Sequence, residues 1–414
     1  MCDTAVPRPF MPALQDVFLY EAIRTPRGRG KANGALHTQT PLGLVTALLE
    51  ELASRRPGIE HAVDEVILGC CEQYNDQGAN LARSGAIQAG YALTTPGVMV
   101  SRFCGSALDA VNIGAAKVMA GQNELVVSGG VEMLSLFTIF GSGGPLASDV
   151  AFKDKVVAIP QGLSADLIAT RQGYSRSDVD AYAAASQQRA FAAWKNHWFQ
   201  NSVVPVHGED SSVVLERDEL VRDNVTVSSL AKLPPSFQKA GEEGYAEIIR
   251  FRYPEVGPIR YVHHAGNSSG IADGAGIVLL GNVEAGMKLG LRARARIVST
   301  ASAADDPCIM LTAPAASTRR ALDRLGLRFS DVDLYEVNEA FASVVLYFME
   351  RTKVPHEKIN VVGGSIAMGH PVGATGAMLL GTLVDELERR GLERGVATMC
   401  TGLGMGVATV IERV

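Results

Sequence analysis

"VMVSRFCGSALDAVNIGAAKVMAG", Val98 to Gly121, sets how the rest of the chain is read. It opens as a short β-branched, apolar run, the pattern of a buried strand. It continues as a helix of small residues. Cys104 stands between the two, at the N-terminus of that helix. Unpaired backbone N–H groups and the macrodipole favour a thiolate there, so the position predicts a lowered thiol pKa. A buried structural cysteine fits these residues equally well, since free cysteine is among the most buried residue types. Gly105, Ser106 and Ala107 permit either a ligand close to the backbone or tight helix packing.

The same alternation extends outward. "DEVILGC", "GVMVSR" and "ELVVSGG" read as strands, with helices at "TPLGLVTALLEELAS" and "GSALDAVNIGAAKVMAG". After Leu289, "DVDLYEV", "INVVGG", "VATMCT" and "GVATVIE" read as strands, and "EAFASVVLYFME" and "GATGAMLLGTLVDELERR" as helices. Strand and helix in alternation predict an α/β fold with a largely parallel sheet. The halves echo each other, a strand leading to Cys104 and then a helix in one, "INVVGG" leading to His370 and then a helix in the other. Between them, from about Leu134 to Ile271, lies an excursion of Gly/Ser/Pro-rich loops. It holds an alanine-rich helix from Ser177 to Lys195, with Ser175 and Asp178 at capping-box spacing before it.

Composition narrows the function. With 414 residues, 47% of them apolar, the chain can bury a large core and divide into two or three domains. A net charge of -6 argues against nucleic acid or an anionic membrane as the main partner. No apolar run has the length of a membrane span, and the N-terminal text reads as neither a signal nor a transit peptide, so a cytoplasmic protein is expected. Cys2, Cys70, Cys71, Cys104, Cys308 and Cys400 show no zinc spacing and fit free thiols in a reducing compartment.

Four places carry chemistry. "GGSIAMGHPVGATGAMLLG" (Gly363 to Gly381) presents His370 among glycines, which are costly unless φ is positive or backbones approach closely. A histidine on such a loop is a reasonable general base. "VATMCTGLGMG" ends a strand at Cys400 and follows it with Gly402. "EVNEAFAS" puts Asn338 where a strand meets a helix, suited to cap the helix or to donate into a site. "GNSSG" matches G-x-S-x-G, with Ser268 as nucleophile and Asp333 and His370 following in hydrolase order. Its context is poor, because barely a turn of helix separates it from the next strand.

Taken in order, "CGSALDA", "GGVEM", "AGNSSGIADGA", "NEAFAS", "GGSIAMGHPVGATGA" and "CTGLGMG" resemble the thiolase family over nearly the whole chain. The resemblance implies two similar α/β halves stacked in five layers, with an inserted loop domain over a coenzyme A site. The expected division is 1–133 with 272–292 for the N-terminal half, 134–271 for the covering domain and 293–414 for the C-terminal half. It further implies that Cys104 attacks an acyl-CoA thioester while His370 takes its proton. Cys400 then exchanges a proton with the α-carbon of acetyl-CoA or with the departing coenzyme thiol. Asn338 with His370 forms one oxyanion site, and the Cys104 and Gly402 N–H groups form the other. Ser269, Ala265 and Gly266 are expected along the pantetheine arm, Gln161, Met310 and Phe341 around the acyl group, and Arg222 and Lys232 near the coenzyme phosphates. Coenzyme A and acyl-CoA are then substrates, and the chemistry requires no metal or redox cofactor.

This chain departs from the family pattern in two places. Pro160 and Gln161 stand where short-chain members carry a His-Met pair, while Leu311 and Ala313 replace glycines after Met310. An acyl group longer or more polar than acetoacetyl is therefore expected. The segment 136–159 is shorter than the loop that clamps tetrameric members, so a homodimer is expected. Two other readings are a thiolase-like acyl-CoA carrier without turnover and a serine hydrolase using Ser268. A pure carrier has no use for Cys104, Asn338, His370 and Cys400 together.

Overall fold

The computed structural model describes residues 14–414, so Cys2 lies outside the described part. Nine strands lie on one hydrogen-bonded path: β1 (Val17–Arg24), β2 (Glu65–Gly69), β3 (Gly97–Val100), β4 (Leu125–Met133), β5 (Ala272–Gly281), β6 (Ala295–Ala304), β7 (Leu334–Val337), β8 (Arg394–Thr401) and β9 (Met405–Arg413). Their spatial order is β3-β2-β4-β5-β1-β6-β9-β8-β7, and the short Gly28–Arg29 pairs with β5. The path is two copies of one pattern meeting at β1 and β6. In each copy an antiparallel pair (β1–β5, β6–β9) is followed by a second (β5–β4, β9–β8) and then a parallel one (β4–β2, β8–β7). Three residue pairs, Val17–Ile297 to Leu19–Ala295, join the copies.

The sheet is therefore mixed, which corrects the expectation of a largely parallel one. The long strands β1, β5, β6 and β9 bring the antiparallel pairings, and such pairings need no helical crossover. "INVVGG" is also not a strand. Isolated bridges tie Ile359 to Tyr335 and Val361 to Gly363, and a short helical turn, Ser365–Met368, follows.

The principal helices are α1 (Pro41–Arg55), α2 (Leu81–Gln88), α3 (Ser106–Met119), α4 (Gln161–Gln172), α5 (Arg176–Lys195), α6 (Pro314–Asp323), α7 (Ala342–Thr352) and α8 (Thr375–Arg390). Helix α1 starts where Thr40 Oγ accepts from Gly43 N, with Pro41 in the first turn. Ser175 and Asp178 make a reciprocal capping box at the start of α5. Helix α4, within the stretch read as loops, was not anticipated; its hydrophobic residues Leu163, Leu167 and Ile168 are fully buried.

One apolar cluster joins α3 and α8 to the inner faces of both sheet halves, through Val17, Leu108, Val278, Leu380, Met399 and Val407 among others. A second packs α1 and α2 on the outside of the N-terminal half, and a third packs α6 and α7 on the C-terminal half. The layers are thus helix, sheet, helix, sheet, helix. The middle layer is very close: a Cβ on Gly376 of α8 would stand 2.4 Å from the backbone nitrogen of Leu108 on α3. Glycine there lets two helix N-termini meet in the centre of the molecule. No helix among the described residues is long and apolar enough to cross a membrane.

Candidate active site

The two central helices bring their N-terminal loops together. Cys104 precedes α3 in a tight turn, where Gly105 N and Ser106 N donate to the carbonyls of Arg102 and Phe103. Phe103 sits at φ 50°, a left-handed conformation that costs a non-glycine residue about 1–3 kcal/mol. Across from it, Leu403 beside Cys400 is likewise left-handed at φ 59°. The loops abut: a Cβ on Gly105 would lie 2.7 Å from Thr401 Cγ2, and one on Gly402 would lie 3.0 Å from the Phe103 ring. Cys104 keeps 9% of its surface and Cys400 1%, so Cys104 is the more accessible of the two thiols.

His370 enters from the N-terminal side of α8. Gly369 before it has φ +103°, and His370 N donates to Gly270 O at 2.7 Å. Its ring is held on both nitrogens. Thr375 Oγ gives its proton to Pro371 O at 2.9 Å, so toward His370 Nδ1, 2.7 Å away, it is the acceptor. Nδ1 therefore carries the hydrogen. Nε2 presents its lone pair, accepting from Asn338 Nδ2 at 3.3 Å. Asn338 is oriented in turn by Ser365 Oγ, which donates to its Oδ1 at 2.7 Å. Burial, aided by the nearby Arg27 guanidinium, lowers the His370 pKa to about 3. The imidazole is neutral at physiological pH, with its base nitrogen directed at the site.

The thiols run against one sequence expectation. Burial raises the Cys104 pKa to about 12, with the Glu132 carboxylate adding to it and a hydrogen bond to its own backbone opposing it. Desolvation outweighs the helix N-terminus here, so Cys104 rests as a thiol and needs a base when it attacks. Burial, then the neighbouring Cys104, pushes the Cys400 thiol up as well.

Other expectations divide. Asn338 does not cap α7; Phe341 occupies the N-cap position, and the amide faces His370 instead. Ser268 is no nucleophile elbow, because its hydroxyl donates to His264 O at 2.9 Å and β5 begins at Ala272 without an intervening helix. Asp333 accepts from Glu393 N and Arg394 N, removing it from any relay with His370. Ser269 N bonds Ala340 O at 2.9 Å, which runs the segment 262–270 beside Asn338–Ala342. Ala265 is exposed, while Gly266, Ser269 and Gly402 are half-buried. Phe341 is buried in one apolar cluster with Cys400, against which half-buried Met310 packs. Gln161 is half-buried at the start of α4. Arg222 and Lys232 are exposed and make no ion pair among the described residues. A surface hollow of about 500 Å³ between Arg55, Arg56, Arg294 and Glu388 touches none of these groups.

Sequence reasoning missed the supports. Glu132 is fully buried and accepts from Cys71 N at 2.8 Å, Gln77 Nε2 at 2.7 Å and Gly373 N at 3.0 Å, fastening β4 to the His370 loop. Burial raises its pKa to about 7. Glu339 does comparable work beside Asn338, accepting from Tyr182, Ser186 and Ile366 N. An acid inside an apolar strand was the available signal for Glu132. Nothing local marks Thr375 or Ser365, whose roles exist only once the loops fold together.

A duplicated α/β core that closes two thiols, an amide and a neutral imidazole at its centre defines an enzyme of cysteine-dependent acyl transfer. Family models agree: "Thiolase, N-terminal domain" matches residues 17–244 and "Thiolase, C-terminal domain" matches 291–413. The chain is 37% identical over 408 residues to the 3-ketoacyl-CoA thiolase of Cronobacter sakazakii, covering 97% of this chain and all of that one. It is 36% identical over 414 residues to 3-ketoacyl-CoA thiolase FadA of Escherichia coli K12, with the same coverage. The crystal structure of the Bacillus anthracis acetyl-CoA acetyltransferase superposes with a TM-score of 0.84 at 33% identity, covering 97% of this chain and all of that one. The chain belongs to the thiolase family.

Proposed function

We propose that the chain cleaves 3-ketoacyl-CoA with coenzyme A, releasing acetyl-CoA and a shortened acyl-CoA, and runs the reverse Claisen condensation. The observation that carries this reading is the neutral His370, whose Nε2 faces Asn338 Nδ2 at 3.3 Å, in a core that also buries the Cys104 and Cys400 thiols. In thiolysis Cys104 Sγ attacks the 3-keto carbon as His370 takes the thiol proton. The C2–C3 bond breaks, and the enolate of acetyl-CoA receives its proton from Cys400. Coenzyme A thiol then attacks the acyl-Cys104 thioester, returning a proton to the enzyme. Each attack puts negative charge on an oxygen, for which the Asn338 and His370 pair and the Cys104 and Gly402 N–H groups supply donors; each is typically worth ~3 kcal/mol. A thioester intermediate lies close in energy to the substrates, which keeps both directions open.

Ser269, Ala265 and Gly266 border the pantetheine arm in this reading. Arg222 and Lys232, exposed and unpaired, receive the phosphates, and Gln161, Met310 and Phe341 surround the acyl group. The chain works as a cytoplasmic homodimer; a tetramer by light scattering would overturn that part. The test of the activity is thiolysis across 3-ketoacyl-CoAs of graded length, together with mass spectrometry of the enzyme after acyl-CoA. A single acyl adduct on Cys104, blocked by prior iodoacetamide, is expected. Binding of acyl-CoA with no adduct and no turnover leaves only the carrier reading.

A further inference from the structure

Within the excursion, a second histidine is built as carefully as His370. Asp166 on α4 and His263 are both fully buried. Asp166 Oδ1 accepts from the backbone nitrogens of Val262 and His263 at 2.9 and 3.1 Å and meets His263 Nδ1 at 2.8 Å. An oxygen already accepting from two N–H groups is the acceptor for the third, so Nδ1 carries the ring hydrogen. Nε2 is then a bare lone pair, buried and without a partner. The adjacent His264 shows what satisfaction looks like here, with Nε2 on Asp180 at 2.8 Å and Nδ1 accepting from Gly266 N at 3.0 Å.

The His263 ring packs edge-to-face with Phe341 at 5.5 Å, and Phe341 packs the same way with Phe237 at 6.0 Å. Phe237 in turn lies against Gly162, next to Gln161, where a Cβ would meet its ring at 2.1 Å. Phe341 shares its apolar cluster with Cys400, Leu163 and Ile309. His263 thus brings a bare acceptor against Phe341, one of the residues expected around the acyl group, and Asp166 Oδ2 beside it is also buried and unpartnered. A buried acceptor left bare is costly, and an O–H donor brought to it relieves that cost.

We propose that His263, held in one tautomer by Asp166, accepts a hydrogen bond from a hydroxyl on the acyl chain, so that the enzyme selects hydroxylated 3-ketoacyl-CoA over plain chains. The proposal rests on the thiolase reading of Cys104 and His370. Its test compares 3-ketooctanoyl-CoA with analogues bearing one hydroxyl at C5, C6, C7 or C8, using full-length enzyme. The expected result is a preference of about tenfold or more in kcat/KM for at least one hydroxylated chain, since a site built for a hydroxyl discriminates by its unpaired acceptor. His263→Phe should abolish that preference and leave the plain chain within about threefold; His263→Gln, which restores an acceptor oxygen, should recover part of it. Thermal transitions confirm that both variants fold. Equal turnover of plain and hydroxylated chains by the unaltered enzyme overturns the proposal and leaves the thiolase reading intact. So does an equal loss on every chain in His263→Phe, or a rise confined to KM for coenzyme A. No turnover of any chain overturns both.

Discussion

The two halves use one position of the fold differently. The parallel pairing of β4 with β2 ends at Gly69–Gly130, and that of β8 with β7 ends at Val337–Thr398. Two residues further, β4 carries Glu132 and β8 carries Cys400. One residue past the partner strands stand Cys70 and Asn338. Both halves also begin their central helix just after a reactive group, Cys104 before α3 and His370 before α8. In the N-terminal half the strand end became a clamp, a carboxylate gathering backbone N–H groups of Cys71 and Gly373 and the side-chain amide of Gln77. In the C-terminal half it became a buried thiol and an amide facing His370. Duplication supplied two equivalent frames, and the chemistry needed the second frame to be rigidly fastened to the first.

The largest effect should come from the thiols, and it separates their roles. Cys104→Ala should lower turnover by about 10⁴-fold or more and remove the acyl adduct seen by mass spectrometry. Cys400→Ala should lower turnover comparably yet still form the adduct; loss of the adduct in both would erase the distinction. Asn338→Ala should lower kcat by about 10²–10³, the usual cost of one oxyanion donor, measured by steady-state thiolysis.

The clamp is expected to matter for stability before chemistry. Glu132→Gln replaces one acceptor oxygen by an NH₂ facing N–H donors, and should cost about 2–4 kcal/mol, read from denaturant unfolding. The same substitution removes a negative charge that raises the Cys104 pKa, so iodoacetamide should react faster with Cys104 above pH 7, where Glu132 is ionised. In the parent, that rate should climb about tenfold per pH unit from 7 to 10, because the thiol pKa is about 12. A plateau below pH 8 would show a preformed thiolate and restore the helix-terminus argument. The smallest change is Gly376→Ala, whose added Cβ pushes α3 and α8 apart and should cost about 1–3 kcal/mol in thermal unfolding.

Much of this was legible in the chain. Strand-helix alternation located α1, α3, α8 and most strands, and the motif order singled out Cys104, Asn338, His370 and Cys400, of which the structure sets Asn338 against His370. What escaped was anything decided by three-dimensional contact. Sheet direction failed because β1, β5 and β6 pair antiparallel across large sequence separations, and because β8 and β9, neighbours in sequence, turn back on each other as a hairpin. The thiol pKa failed because a helix terminus is a local feature, whereas burial belongs to the whole fold. Ser268 illustrates the same limit from the other side: its motif was present, and its hydroxyl was already committed to His264 O.

The pairing of β4 with β5 has a consequence for how the chain is made. Met133 faces Asp273, so everything between them is threaded out of one sheet and back. A ribosome releasing residues in order leaves β4 with one edge open until the whole excursion has emerged. Closing so long a loop costs only slowly growing entropy, but the exposed edge persists for the many seconds that synthesis takes. The interior strand that carries Glu132 is therefore, during synthesis, an open edge of the kind that pairs with other chains, until Ala272–Gly281 arrives to cover it.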